Sequence, residues 1–254
     1  MEIMNSLFLL CTLFATLSKA NDGFPDNYNM PLSGSASVTH YDLPLDFVAA
    51  CGCTNGTYLY PVAALSRMAY GSSSGYGPGC GRCFRVTLKQ PVVADPPFIL
   101  PESSRPSAVF KIVDACPSPD LCLATEKKQN SVGETTHFDI FSPSPAIPIT
   151  WFPSDEATYH YTDFGTWYAD YESVSCTAWG GYTDPAAQGT SSTFLDPSIG
   201  CCPADPLTDN QICPVQATAE GTSGTSANFQ LTATYWLSGI SAFMAFCFLA
   251  QDWI

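Results

Sequence analysis

Ten cysteines fall between Cys51 and Cys213 of this 254-residue chain, and they constrain its fold more than any other feature. The chain has twelve in all, but Cys11 and Cys247 sit in apolar stretches near its two ends. An even set packed into an exported domain predicts up to five disulfides, and therefore a small core whose long loops are braced covalently. Cys51-Gly-Cys53 and Cys80-x-x-Cys83 also have the spacing of a zinc or redox pair. With only three histidines and so many other cysteines, structural bridges are the better reading. Spacing leaves their pairing open, and neither a metal nor a cofactor is expected.

The ends of the chain read as appendages. Residues 7–17 form an almost unbroken apolar run, and Leu17-Ser-Lys-Ala20 closes it with a small residue, so residues 1–20 read as an export signal. Glu2, with no lysine or arginine before the run, is atypical of such signals, and a membrane anchor is the alternative. Residues 21–33 form a short lead-in, 34–215 the folded domain, and 216–236 a Ser/Thr-rich linker. The apolar tail 237–254 is too short for a secure membrane span. Small residues at Ser223, Gly224, Ser226 and Ala227 ahead of it fit a lipid-anchor signal, which would attach the protein to a membrane. A hydrophobic end without that role is the competing reading. The expected location is extracellular, either free or anchored at the cell surface.

The formal net charge is −14, from 23 acidic and 9 basic residues. So acidic a surface repels phosphate backbones, which excludes nucleic acid as a partner and disfavours anionic polysaccharides. A neutral polysaccharide meets no such repulsion, and the 13% aromatic content suits stacking on sugar faces. A monomer is expected.

Between the ends, short β-compatible runs alternate with Gly- and Pro-rich breaks. Ala36-Ser-Val-Thr-His-Tyr41 alternates, and 82–88, 108–113, 135–141 and 172–179 read as strands. Residues 61–70, with Ala63, Ala64, Leu65 and Met68, predict a helix, which the run 71–79 ends. Asn55-Gly-Thr57 is a glycosylation sequon beside turn residues. The pattern predicts an all-β barrel with long loops rather than β-α units.

Hydrolysis of a sugar acetal needs one carboxylic acid to protonate the leaving oxygen and a second polar group to activate water or attack. In the 135–141 strand, His137 and Asp139 are two apart and share a face, while Phe138 and Ile140 take the other. Their competing reading is a structural hydrogen-bonded pair. Asp114 ends an apolar strand just before Ala115-Cys116-Pro117, where a site residue or a turn cap would sit. Asp120 lies between Cys116 and Cys122, Asn130 just ahead of the Asp139 strand, and Asp42 after the first strand. The zinc-protease helix motif and the phosphate-binding loop do not occur; the run 71–79 lacks the Lys-Ser/Thr that would follow a phosphate loop.

Five segments together carry a resemblance. Ala36-Ser-Val-Thr-His-Tyr41, Gly79-Cys-Gly-Arg-Cys-Phe84, Lys111-Ile-Val-Asp-Ala-Cys-Pro117, His137-Phe-Asp-Ile140 and Glu172-Ser-Val-Ser-Cys-Thr-Ala-Trp179 occur in the order and spacing of glycoside hydrolase family 45. The chain resembles its compact fungal branch, close to expansins and loosenins. The resemblance implies a six-stranded double-psi β-barrel with an open groove, and inverting endo-β-1,4-glucanase activity on cellulose or a related β-glucan. It implies Asp139 as general acid and Asp114 as an assisting acid. One branch of the family places its base aspartate in Thr-Arg-Tyr-Trp-Asp. The corresponding stretch here is Thr39-His-Tyr-Asp-Leu43, so Asp42 falls one position early. The compact branch uses asparagines instead, which points to Asp120 or Asn130 as the water-activating group. Tyr41, His137, Trp151 and Trp167 are the candidate sugar-binding residues, the two tryptophans because they stand in expected loops. A non-hydrolytic wall-loosening protein with the same barrel is the alternative function.

Overall fold

A computed structural model describes residues 30–44, 47–72, 75–192 and 200–216. The expected signal, most of the lead-in, nearly all of the linker and the whole apolar tail lie outside the described residues. Six strands close into a barrel: β1 (Ser33–Tyr41), β2 (Val62–Ser66), β3 (Cys83–Pro91), β4 (Ser107–Cys116), β5 (His137–Phe141) and β6 (Trp167–Val174). Around the barrel they run β1-β5-β2-β4-β3-β6. The pairs β1/β5 and β2/β4 are parallel and the other four are antiparallel. Strands distant in sequence are thus interleaved by crossing connections, the double-psi arrangement, and closure leaves no open sheet edge.

Alternation along each strand fills the interior. Ala36 and Val38 of β1, Ala63 and Leu65 of β2, Phe84, Val86 and Leu88 of β3, Phe110 and Ile112 of β4, and Phe138 and Ile140 of β5 are fully buried in one apolar core. Three rings meet at its centre: Phe84, Phe138 and Tyr171 lie with centroids 5.5–6.1 Å apart. Offset and edge-on ring packing of this kind adds roughly 0.5–1.5 kcal/mol per pair to the burial itself.

The segment 61–70 departs from the helix expected of it. Val62–Ser66 is strand β2, buried throughout, and only Arg67–Tyr70 makes a helical turn. The alanines favour helix locally, but β2 lies between β4 and β5, and its ladder bonds and burial outweigh that small preference. The last strand also begins earlier than expected, at Trp167, and stops at Val174, with Cys176–Ala178 a short 3-10 turn.

Five disulfides brace the loops: Cys51–Cys80, Cys53–Cys202, Cys83–Cys176, Cys116–Cys122 and Cys201–Cys213. Cys80 and Cys83 do not pair with each other. Residues 200–216 wrap the outside of β4, where Lys111, fully buried, donates from Nζ to the carbonyls of Pro203 (2.8 Å) and Ala204 (2.9 Å). Its ammonium lies 5.2 Å from the Trp179 ring centroid. Burial lowers the Lys111 pKa to about 8, against the opposing pull of Asp205 and Asp209.

Candidate active site

The barrel wall formed by β1, β5, β2 and β4 carries a polar strip on its outer face. In β1 the interior residues are Ala36 and Val38, so Ser37, Thr39 and Tyr41 take the other face. Register pairs Ser37 with His137 and Thr39 with Asp139. Asp139 is also in register with Ala64 of β2, and so is Asp114 of β4. The two aspartates therefore flank Ala64 on one face, two strand spacings apart, or about 9–10 Å between Cα atoms.

A bulge puts Asp114 there. Ala63 pairs with Ile112 but Ala64 pairs with Asp114, so Val113 is an extra residue in β4. Strict alternation would send Asp114 inward with Ile112; the inserted residue turns it outward instead, while Ile112 and Val113 both stay buried in the core.

The carboxylates are held differently. Asp114 Oδ1 accepts from the backbone N–H groups of Ala50 (3.0 Å) and Ala115 (2.9 Å). Burial raises its pKa, and those two donors oppose the rise. Asp139 is half-buried and accepts from the Thr39 hydroxyl at 2.7 Å. Burial likewise raises its pKa, helped by the charge of Asp114; the Thr39 hydrogen bond and His40 work against it. A carboxyl shifted upward in this way keeps its proton to higher pH than an ordinary aspartate.

Tyr41 stands beside both. Its hydroxyl is shielded and has no hydrogen-bond partner among the described residues. Burial raises the phenol's pKa well above its usual value, with Asp114 and Asp139 adding to the effect in that order. It is thus an O–H donor without an acceptor among the described residues. Leu121 and the Cys116–Cys122 bridge pack with Tyr41 over Ala64 and complete the strip.

Behind Asp139 runs a chain of hydrogen bonds whose direction is fixed at both ends. The Thr39 hydroxyl donates to Asp139, so its oxygen accepts from His137 Nε2 at 3.0 Å. His137 Nδ1 is then an acceptor for the Ser37 hydroxyl at 2.8 Å, and Ser37 in turn accepts from Asn130 Nδ2 at 2.8 Å. This network assigns the Nε2–H tautomer to His137. The ring is fully buried, and burial lowers its pKa to about 3, so it is neutral. Asn130 is clamped from both ends: Nδ2 also donates to the Leu121 carbonyl (3.2 Å), and Oδ1 accepts from the N–H groups of Val132 (3.1 Å) and Glu134 (2.9 Å).

The predicted site residues thus separate into groups. Asp139, Asp114 and Tyr41 share one face, with His137 and Asn130 linked behind them. His137 is sealed from solvent, with both ring nitrogens engaged by Ser37 and Thr39, so it presents no atom to an outer groove. Both amide atoms of Asn130 are engaged, Nδ2 by Ser37 and the Leu121 carbonyl and Oδ1 by the N–H groups of Val132 and Glu134. Asp120 is exposed on the Cys116–Cys122 loop, tied down where its carbonyl accepts from Ser131 N–H at 3.1 Å. Asp42 is exposed just beyond β1. Trp167, expected in a loop, is fully buried in β6 against Phe98 and Phe164, so it offers no face to a sugar. Trp151 keeps some exposure, but its ring contacts are with Phe110 and Phe152, not with Tyr41.

Ser37, Thr39 and Ala64 were not among the predicted site residues. Ser37 and Thr39 carry a sequence signal, as polar positions two apart in an alternating strand; Ala64 carries none. Cys116, Cys122 and His137 converge within 4.8 Å, but the sulfurs bond to each other and both ring nitrogens are hydrogen-bonded, so the trio has no free ligand set for a metal.

Fold and site together define a disulfide-braced six-stranded barrel with two pKa-raised carboxyls on one outward face. The family model EXPB1-like domain 1 matches residues 36–181, and the chain belongs to that family. No curated protein matches it. Among solved structures it is similar to the β-1,4-D-endoglucanase Cel45A of the blue mussel Mytilus edulis, at 20% identity over 66% of this chain and 93% of that one, with a TM-score of 0.42. The family 45 endoglucanase EG27II, determined with cellobiose, is similar at 22% identity over 55% of this chain and 79% of that one, TM-score 0.39. An expansin of Clavibacter michiganensis is similar at 14% identity over 56% and 50%, TM-score 0.31.

Proposed function

We propose that this chain is an extracellular endoglucanase that hydrolyses β-1,4-glucan by inversion, with Asp139 as proton donor. The observation that carries this reading is the half-buried Asp139 carboxyl on an outward barrel face, its pKa raised by burial with Asp114 adding to the rise. The hydrogen-bond chain from Asn130 to Thr39 fixes which Asp139 oxygen is occupied and leaves the other to meet a glycosidic oxygen. An inverting reaction needs a second group about 6.5–9.5 Å from the acid, with water between them. With the Asn130 amide engaged, the exposed Asp120 carboxylate on the braced loop is the preferred water-activating group. Asp114 supports the acid by its charge.

Release of reducing ends from a soluble cellulose derivative or mixed-linkage glucan tests the proposal. Asp139→Asn should lower kcat/KM by about 10²–10⁴, the range for losing a general acid, and Asp120→Asn by a comparable factor. Proton NMR of the first product should show the inverted anomer. A folded, fully oxidised preparation that releases nothing overturns the reading.

A second reading has an observation of its own. Burial also raises the pKa of Asp114, the carboxyl nearest in register to Asp139, and a carboxyl that holds its proton more readily is a poorer base for activating water. A chain with no effective base is a polysaccharide-binding, wall-loosening protein. Binding to cellulose that is unchanged in Asp139→Asn, with no product from either protein, selects it.

A further inference from the structure

The chain contains one Asn-x-Ser/Thr sequon, Asn55-Gly-Thr57, and the structure holds its two functional residues in opposite states. Asn55 is exposed at the start of the 3-10 helix Asn55–Leu59, open to a bulky substituent. Thr57 is completely buried, and its hydroxyl donates to the Ala187 carbonyl at 2.9 Å. The neighbouring Thr54 hydroxyl donates to the Ala186 carbonyl at 2.7 Å. Residue 56 has no room for a side chain: a Cβ there would lie 2.2 Å from the Ala186 oxygen. The segment Pro185–Ala187 therefore lies directly on the sequon, and the Cys53–Cys202 bridge, beside Cys53's pairing with Thr190, fastens it there.

A transferase that reads a sequon must grip the hydroxyl two residues after the acceptor asparagine, and in the folded protein that hydroxyl is out of reach. We propose that Asn55 carries an N-linked glycan, and that it is attached before residues 185–187 close over Thr57. In the transfer, Asn55 Nδ2 forms a bond to C1 of the oligosaccharide and loses a proton. The bond from C1 to the phosphate oxygen of a lipid-diphosphate-linked donor breaks, and the lipid diphosphate leaves. The five disulfides place folding in an oxidising compartment, where secretory glycosylation also occurs. Timing allows it. The clamp lies 130 residues downstream of Thr57; at about 5–20 residues per second, the sequon is open for roughly 6–26 s before Ala187 is made.

The test has two arms, neither using glucanase activity. First, the full chain is expressed through a eukaryotic secretory pathway and its intact mass taken before and after an N-glycan-releasing endoglycosidase. One glycan is expected on the secreted protein, mapped to the Asn55 peptide and absent in Asn55→Gln, which changes only an exposed side chain. Secreted, disulfide-bonded protein with no glycan overturns the proposal. Second, unglycosylated chain from a host lacking the pathway is given to a purified oligosaccharyltransferase with lipid-linked donor, either native and oxidised or reduced and unfolded. Transfer to the unfolded form alone is expected. Equal transfer to the native form overturns the order of events even if the first arm succeeds.

Discussion

Thr39 receives a hydrogen bond from His137 and donates one to Asp139, and the sign of that second bond has a measurable consequence. It stabilises the ionised carboxylate and so lowers the Asp139 pKa from where burial alone would leave it. Thr39→Val should therefore raise that pKa and move the alkaline limb of the kcat/KM profile to higher pH. Asp114→Asn removes a charge that raises the pKa, so the limb should move the opposite way. Limbs that fail to separate in these directions would exclude Asp139 as the group titrating there. His137 governs acid stability. Burial lowers its folded pKa to about 3 from the ordinary 6.5, so between those pH values the unfolded chain binds a proton that the folded ring refuses. Stability from this group is complete above pH 6.5 and is lost as pH falls toward 3, by roughly 4–5 kcal/mol at most. Denaturant unfolding at pH 7 and pH 3.5 should show a smaller loss in His137→Gln than in the parent chain. An equal loss in both proteins would assign acid sensitivity elsewhere.

Among the elements, β2 and the Cys116–Cys122 loop shape the face most. β2 contributes no polar side chain to the carboxylate pair, yet its register with β4 and β5 sets their separation, and the small Ala64 leaves the space between them open. The Cys116–Cys122 loop supplies the Leu121 carbonyl that holds Asn130 and carries Asp120. Its bridge closes a separation of only six residues, so chain entropy credits it with about 2 kcal/mol of stability. The double substitution Cys116→Ser with Cys122→Ser should thus lower Tm modestly but cut glucan hydrolysis far more than that stability loss explains. Retained activity with the same modest Tm change would mean that the loop plays no part in the reaction. Little of this was legible in the sequence. The alternation of 36–41 and of 137–140 identified two strands and the shared face of His137 and Asp139, whereas residues 61–70 carried helix-favouring alanines whose strand state depends on neighbours far along the chain.

For the whole molecule, long-range bridges replace part of the core that a barrel this small can bury. Cys53–Cys202 spans 149 residues, though Cys83–Cys176 shortens the loop it closes. With that shortcut the chain-entropy contribution is still roughly 4 kcal/mol. Cys53→Ser with Cys202→Ser should therefore lower Tm more than the Cys116/Cys122 pair does, and calorimetry of the two variants side by side would decide it. The reverse ranking would mean that native-state strain or residual unfolded structure dominates.

Local alternation, residue counts and contiguous motifs were enough to give the all-β character, the disulfide-dense body and the resemblance to family 45 and expansin barrels. They also singled out Asp139 and Asp114, since both sit in such motifs. The cysteine pairing, the strand order around the barrel and the outward turn of Asp114, which hangs on one extra residue opposite β2, emerged only from the folded contacts. Those contacts also moved Trp167 into the core and His137 and Asn130 behind the site. The physical reason is common to all of these: register, burial and hydrogen-bond partners are set by residues that may be a hundred positions away, and no local pattern encodes which of them arrive.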